Sequence, residues 1–102
     1  MIVLPKEQFA TEGLACPSCG GNNLHHGKVT IFSRAEDDAE VTVVTAAGSN
    51  VSMRNVANAS TENPSRRRHG MRIQFWCELC DDNVFDLCIA QHKGTTYLHW
   101  EE

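Results

Sequence analysis

The sequence contains no apolar run that approaches the ~20 residues of a membrane-spanning helix. Its first six residues, Met-Ile-Val-Leu-Pro-Lys, lack the charged region and the long apolar core of a signal peptide. No segment repeats its apolar residues with the 3.6-residue period of an amphipathic helix. These absences predict a cytoplasmic protein that binds no membrane and contains little helix.

Cysteine occurs five times, an odd number that does not suit a closed framework of disulfides. A reduced cytosolic chain uses paired cysteines for metal more often than for crosslinks. The length of 102 residues predicts one domain, residues 1–102. Residues 57–69 contain almost no large apolar side chains and predict a flexible polar loop. The core is then small for this length, and a bound metal would supplement it.

Period-2 alternation of apolar and polar residues recurs along the chain and is typical of β-strands. The predicted strands cover residues 28–34, 41–46, 51–56, 71–76, 84–90 and 95–100. Turns with glycine separate several of them, as at 48–50 and 91–94. In residues 71–76, one face of the strand carries Met71, Ile73 and Phe75, and the other carries Arg72, Gln74 and Trp76. The fold class predicted is all-β, with antiparallel hairpins.

Two Cys-x-x-Cys pairs enclose most of these strands: Cys16 with Cys19, and Cys77 with Cys80. Two residues between thiols allow one tight turn to direct both sulfurs to a common point, and two such turns supply the four tetrahedral ligands of a structural zinc site. Pro17 and Gly20 favour such a turn. The pattern predicts one structural Zn²⁺. Four protein ligands leave no open position for catalysis, so we expect no enzyme and no small-molecule substrate.

These motifs resemble the zinc-ribbon superfamily, and the chain looks most like small uncharacterised zinc-ribbon proteins of bacteria and their phages. The resemblance rests on the two cysteine pairs with Pro17 and Gly20, and on the alternating strands over most of residues 14–100. It implies a zinc ribbon with antiparallel hairpins. The chain departs from compact ribbons in placing 57 residues between Cys19 and Cys77. The excess implies an inserted hairpin and loop between the two knuckles.

A rival ligand set would combine Cys77 and Cys80 with Cys88 and His92. If residues 84–90 form a strand, Cys88 and His92 lie about 13 Å apart, too far for one zinc ion. Cys88 has apolar and acidic neighbours in the sequence, which favour a buried structural thiol over a reactive one. A thiol redox protein is the less favoured alternative, because no β/α pattern accompanies the cysteine pairs.

The remaining histidines and acids give no recognisable catalytic arrangement. His25 and His26 could extend a metal site or form an acid–base pair, but more often such residues begin a strand or meet a carboxylate. His69, His92 and His99 are isolated in the sequence. The acidic segment 36–40 indicates a solvated turn, because it lacks the regular ligand spacing and glycine of a calcium site.

Arginine is concentrated in one place. The net charge of −4 disfavours a general nucleic-acid binder, but Arg66, Arg67 and Arg68 stand together in the only basic third of the chain. They are the candidate nucleic-acid contact, with Trp76 for stacking on a base and with Arg54, Arg72 and Tyr97 as extensions. The alternatives are a solvated charge run, or one that balances the acidic turns at 36–40 and 81–82.

The function predicted is therefore a zinc-binding structural and interaction module that engages a protein or nucleic-acid partner. Nucleic-acid binding through the arginine loop is the alternative. The identity of the partner stays open at this point.

Overall fold

The computed structural model describes residues 13–80 and 84–102. They form six strands in one antiparallel sheet with the order β3-β2-β1-β4-β5-β6. The strands are β1 (Leu24–Ser33), β2 (Glu40–Ala47), β3 (Asn50–Ala57), β4 (Gly70–Cys77), β5 (Val84–His92) and β6 (Thr95–Glu101). The predicted all-β, antiparallel fold class is confirmed.

All six predicted strands are present, and the largest difference is the start of β1. The alternation predicted a start at residue 28, whereas the strand begins at Leu24. A register shift between His26 and Val29, where β1 pairs with β4, explains the difference. An extra residue at such a bulge interrupts the strict alternation from which a strand is predicted.

Two tight turns fix the outer hairpins. Between β2 and β3, Gly48 has a φ of 60°, and Ala47 pairs with Asn50 across the two-residue turn. Between β5 and β6, Lys93 and Gly94 both have positive φ, 51° and 79°. Two successive left-handed residues are the pattern of the type I′ turn, whose twist matches that of a hairpin.

The register divides the strand residues between two faces, and the predicted alternation of residues 71–76 is confirmed. One face, called the apolar face here, carries fourteen large apolar side chains drawn from all six strands. They are Leu24, Val29, Ile31, Val44, Val51, Met53, Met71, Ile73, Phe75, Phe85, Leu87, Ile89, Leu98 and Trp100. The other face carries Arg54, Arg72 and Gln74 and is called the loop face, because residues 60–62 lie beside it.

Buried side chains form two small clusters rather than one core. On the loop face, Phe32, Val41 and Val43 pack together with the partly buried Val56. On the apolar face, Cys16, Cys77 and Phe85 pack together, with Leu24, Cys80 and Trp100 against them. The described residues include one short 3-10 turn, Asn58–Ser60, and no helix long and apolar enough to cross a membrane.

The loop 57–69 makes specific contacts with the sheet, although its composition predicted only solvated polar groups. Ser65 is 3% exposed, and its hydroxyl donates a hydrogen bond to the Gln91 carbonyl at 2.7 Å. The same hydroxyl accepts a bond from the Arg68 amide at 3.1 Å. The Asn63 carboxamide accepts a bond from the Ser65 amide at 3.0 Å. The predicted flexibility of this loop stays a prediction.

Candidate metal centre

The sheet brings the two cysteine pairs together at one end. Cys16 and Cys19 lie in a turn before β1, and Cys77 is the last residue of β4. Because β1 and β4 are antiparallel neighbours, with Leu24 opposite Cys77, the turn that precedes one strand meets the turn that follows the other. A bond from the Glu78 amide to the Asn23 carbonyl, 3.1 Å, also joins the two segments.

The four sulfurs have the spacing of a tetrahedral metal site. All four Sγ atoms lie within 4.8 Å of one another. The Sγ atoms of Cys16 and Cys80 are 3.9 Å apart, and those of Cys19 and Cys77 are 3.7 Å apart. Four sulfurs around one Zn²⁺ at about 2.3 Å would be separated by about 3.8 Å. A disulfide would need about 2.05 Å, and all four cysteines are free thiols. This cluster could hold a metal ion.

The first cysteine turn directs backbone N–H groups toward its own sulfurs. Gly20 has a φ of 76°, a conformation that glycine adopts without strain. The Ser18 amide donates to Cys16 Sγ and the Gly21 amide to Cys19 Sγ, both at 3.4 Å. Such bonds stabilise thiolates, the form in which cysteine binds metal.

The thiols also influence one another's ionisation. Desolvation raises the pKa of the Cys16 thiol, but hydrogen bonds from the backbone of Cys19 and Ser18 outweigh it and leave the pKa at about 7. The pKa of Cys80 rises to about 12, first through its hydrogen bond with Cys19 and then through burial. The Cys16 thiol therefore ionises readily and the Cys80 thiol resists ionisation, as expected where several like charges share a small volume. A bound cation would stabilise all four thiolates.

The surroundings enclose the cluster on one side only. Cys16 and Cys77 are each 3% exposed and pack on Phe85, whereas Cys19 is exposed. This matches a structural metal that is partly covered by its own protein scaffold.

His25 lies beside the second cysteine turn without joining the sulfurs. Its Nε2 contacts the carboxylate of Glu78, and its ring stacks on Trp76 with centroids 4.3 Å apart. The expectation that this histidine meets a carboxylate is confirmed. The signal that could have located the pair is the position of Glu78 inside the second Cys-x-x-Cys, directly after the strand residues that oppose His25.

The structure does not bring the rival ligand set together. Cys88 lies within β5, which runs unbroken to His92, so these two residues are about 13 Å apart along the strand. The Cys88 side chain is fully buried, as expected for a structural thiol.

Cys88 belongs to a second group of polar side chains. The ligand atoms of Cys88, His99 and Glu101 lie within 4.8 Å of one another. Both Glu101 oxygens already have partners, because one contacts His99 Nε2 at 3.2 Å and the other accepts a bond from Arg72. Burial raises the pKa of the Cys88 thiol to about 11. The group is thus satisfied by its own hydrogen bonds and charges, and needs no ion.

The three arginines of the loop do not share one environment. The Arg67 guanidinium contacts the Asp37 carboxylate at 2.7 Å and Glu36 at 3.7 Å. Arg66 and Arg68 form no ion pair with any residue in the described ranges 13–80 and 84–102. The idea that the run balances the acidic turn at 36–40 therefore fits Arg67. The turn at 81–82, which was the other candidate, lies outside the described residues.

The aromatic residues expected to accompany the arginines lie in different places. Trp76 is 48% exposed but is separated from Gly70, next to the loop, by six residues of β4, about 20 Å. Arg72 pairs with Asp86 and Glu101. Tyr97, by contrast, lines one cleft of about 190 Å³ together with Arg66.

A larger cleft of about 520 Å³ lies on the loop face. Its lining includes Lys28 and Arg54, with hydroxyls of Thr30, Thr45 and Ser52 and with residues 60–62 of the loop. Arg54 was singled out from the sequence and Lys28 was not. Alternation along the predicted strand 28–34 already places Lys28 on the same face as Thr30, and could have located it.

Comparisons of the chain with protein-family models, with curated proteins and with solved structures found no match. The structure supports a four-cysteine site of the kind found in zinc ribbons, without confirmation from any family.

Proposed function

We propose that the protein binds one structural Zn²⁺ through Cys16, Cys19, Cys77 and Cys80, as an all-β relative of the zinc ribbons that serves as an interaction module. The observation that carries the proposal is the spacing of the sulfurs, 3.7 and 3.9 Å for two pairs, against about 3.8 Å in a zinc tetrathiolate. The ion would join the turn before β1 to the turn after β4. Its role is coordination, because all four positions are taken by protein sulfurs.

Zinc is preferred over other metals on chemical grounds. Four thiolates in a tetrahedral arrangement suit Zn²⁺ or iron, whereas hard cations such as Mg²⁺ and Ca²⁺ require oxygen ligands. Zinc has no visible absorption, and an iron tetrathiolate is coloured. Colour therefore distinguishes the two metals. The proposed zinc protein, purified without added metal, should be colourless and contain one zinc per chain.

Native mass spectrometry of the purified chain tests the ligand set. Cys80→Ser should lose the zinc, whereas the matched variant Cys88→Ser should keep it. Zinc that survives the loss of Cys16 and Cys19 but disappears with Cys88 would show that the rival set is correct. A colourless protein without zinc in the wild type would refute the proposal itself.

Nucleic-acid binding is the second candidate function, and two clefts favour it. Arg66 and Tyr97 share one cleft, where an aromatic ring and a guanidinium could contact a base and its phosphate. Lys28 and Arg54 line the other, which opens on the loop face. The net charge of −4 argues for a localised contact rather than a broad electrostatic one.

Salt-dependent binding of single-stranded DNA or RNA tests this candidate. Replacing Arg66 and Arg68 with alanine should lower the salt slope by about 0.7–0.9 for each lost phosphate contact. Arg67→Ala is the matched control and should change the slope less, because its guanidinium is paired with Asp37. Trp76→Ala should weaken binding only if the ring leaves His25 to stack on a base. Wild-type protein that binds no nucleic acid at low salt would eliminate this function.

A further inference from the structure

In the part of the chain that the structure describes, the apolar face lacks the covering layer that a sheet of this kind normally has. Of its fourteen large apolar side chains, all within the described residues, Phe85 alone is buried. Val51 and Met53 on β3 are each 74% exposed, and Leu98 on β6 is 43% exposed. Stable domains bury an apolar sheet face against a second layer of helices or strands. Within residues 13–80 and 84–102 no second layer of this kind is present.

The size of the molecule shows the same deficit. Its accessible surface is 7409 Å², whereas a folded monomer of 11.3 kDa exposes about 5,700 Å². Its radius of gyration is 14.9 Å, against about 13 Å for a compact domain of this length. A sheet with one uncovered face exposes more surface than a compact domain of the same mass.

We propose that a second copy of the chain packs on the apolar face, so that two sheets form a sandwich. This inference names the partner of the interaction module proposed above and therefore rests on that function. A two-fold arrangement brings the same patch of both subunits together, which requires a surface complementary to itself. A neutral apolar surface meets that requirement, and Glu40 at the start of β2 is the one charged strand residue on this face among those described.

The area of the face is sufficient for a stable dimer. Six strands of seven to ten residues at about 4.8 Å spacing give a face of roughly 700 Å² in projection. The corrugation of the side chains makes its accessible area larger than its projection. A standard interface buries about 800 Å² of accessible surface on each partner. Sheets that pack face to face lie about 10 Å apart, which lets the side chains of the two faces interdigitate.

Other occupants fit the face less well. Residues 1–12 lie outside the described part of the chain and contain five large apolar residues, too few to cover fourteen: Met1, Ile2, Val3, Leu4 and Phe9. A surface that binds nucleic acid requires cationic side chains, and Lys28 and Arg54 lie on the loop face instead. An acidic or basic protein partner would find almost no charge on the apolar face to recognise.

Sedimentation of the zinc-loaded full chain from about 1 µM to about 200 µM tests the proposal. The wild type should form a dimer. The double variant Met53→Glu with Leu98→Glu places two charges on the apolar face, at positions exposed in the single chain, so the monomer should still fold. Its dissociation constant should rise about 100-fold or more, because each buried charge opposes association.

The control carries the same charges on the same strands but on the loop face: Ser52→Glu with Tyr97→Glu. It should dimerise like the wild type. A wild type that stays monomeric throughout this range would overturn the proposal. If a variant without residues 1–12 then dimerises, that result would assign the apolar face to the removed segment. A dimer that withstands both apolar-face charges would indicate pairing at a strand edge and would also overturn it. Zinc content measured on the same samples separates these failures from failure of the metal site.

Discussion

The two ends of the sheet are held by different chemistry. At one end, the cysteine turns before β1 and after β4 meet through four thiols. At the other end, the loop 57–69 and the turn between β1 and β2 meet through hydrogen bonds and through the ion pairs of Arg67 with Asp37 and Glu36. Both ends join segments that are far apart in sequence. Under the proposed function the cysteine end would depend on a bound cation and the loop end would not, so each end could be weakened without touching the other.

The loop end is held mainly by its backbone. The Asp37 amide donates to the Arg67 carbonyl at 2.8 Å, and the Asn58 amide donates to the Ala39 carbonyl at 2.8 Å. The Arg34 guanidinium donates to the Arg66 carbonyl at 3.0 Å. Because water can replace exposed bonds of this kind, each contributes modestly. Loss of one contact at the loop end should therefore cost much less than loss of one ligand at the cysteine end.

The largest effect is expected from a single ligand substitution. Cys16→Ser should release the zinc and abolish cooperative unfolding, since the free energy of binding a structural zinc, on the order of 10 kcal/mol, is also free energy of folding. Circular dichroism during urea unfolding, with zinc content measured in parallel, gives the result. Chelator treatment of the wild type should produce the same state.

Cys88→Ser is the control for that experiment. It should lower stability modestly, because it places a hydroxyl in a fully buried position, and it should keep both the zinc and the cooperative transition. A Cys16→Ser protein that unfolds cooperatively without metal would show that the cysteine end does not depend on the cation.

A smaller loss is expected at the loop end from Gly70→Ala. A Cβ at this position would lie 2.2 Å from Asn63 Oδ1 and 2.8 Å from Pro64 Cδ, so the loop must move away from β4. Such overpacking costs about 2 kcal/mol. Gly27→Ala is the matched control, because its Cβ would meet nothing closer than 3.9 Å. Urea midpoints should fall for the first variant and stay near the wild type for the second, with zinc retained in both.

Ser65→Ala should have a smaller effect at the same end. The substitution removes the hydroxyl that donates to the Gln91 carbonyl and accepts from the Arg68 amide. A buried methyl then faces both groups, and the free energy of unfolding should fall by about 1 kcal/mol. Ser60 provides the control, because its hydroxyl bonds the Ala57 carbonyl at an exposed position where water can replace it. Equal losses for Ser65→Ala and Ser60→Ala in urea unfolding would show that the loop is not seated on the sheet.

The difference between the cysteine end and the loop end also explains which features of the fold and of the site the sequence could predict. The strands and the cysteine site follow from local patterns, because alternation sets the faces and Cys-x-x-Cys sets the turns. The contacts that hold the loop on the sheet include one buried hydroxyl, that of Ser65, whose partner Gln91 is distant in the sequence. The pairing of Arg67 with Asp37 likewise joins two polar segments that are each typical of solvated surface. Such contacts depend on tertiary geometry, and no local pattern predicts them.

The smallest expected effect concerns the ion pair at the loop end. The hydrogen bond from Arg67 holds the pKa of the Asp37 carboxyl below its ordinary 3.8. Desolvation opposes this shift, and the positive charge of the same guanidinium adds to it. A carboxyl with a lowered pKa in the folded state stabilises the protein above its unfolded pKa, and this contribution is lost as the pH falls through the folded value. Asp37→Asn should thus be slightly less stable than the wild type at neutral pH, and the difference should vanish below pH 3.8.

Two measurements separate this pair from other acid effects. Acid also protonates the thiolates of the proposed metal site, but that loss is common to both proteins and cancels when the wild type is compared with Asp37→Asn at each pH. In a double-mutant cycle with Arg67→Gln, the coupling between the two sites should shrink in about 1 M salt, because exposed pairs are screened. A coupling that is unchanged by salt, or a difference that grows as the pH falls, would show that the stabilising effect of Asp37 does not come from its charge.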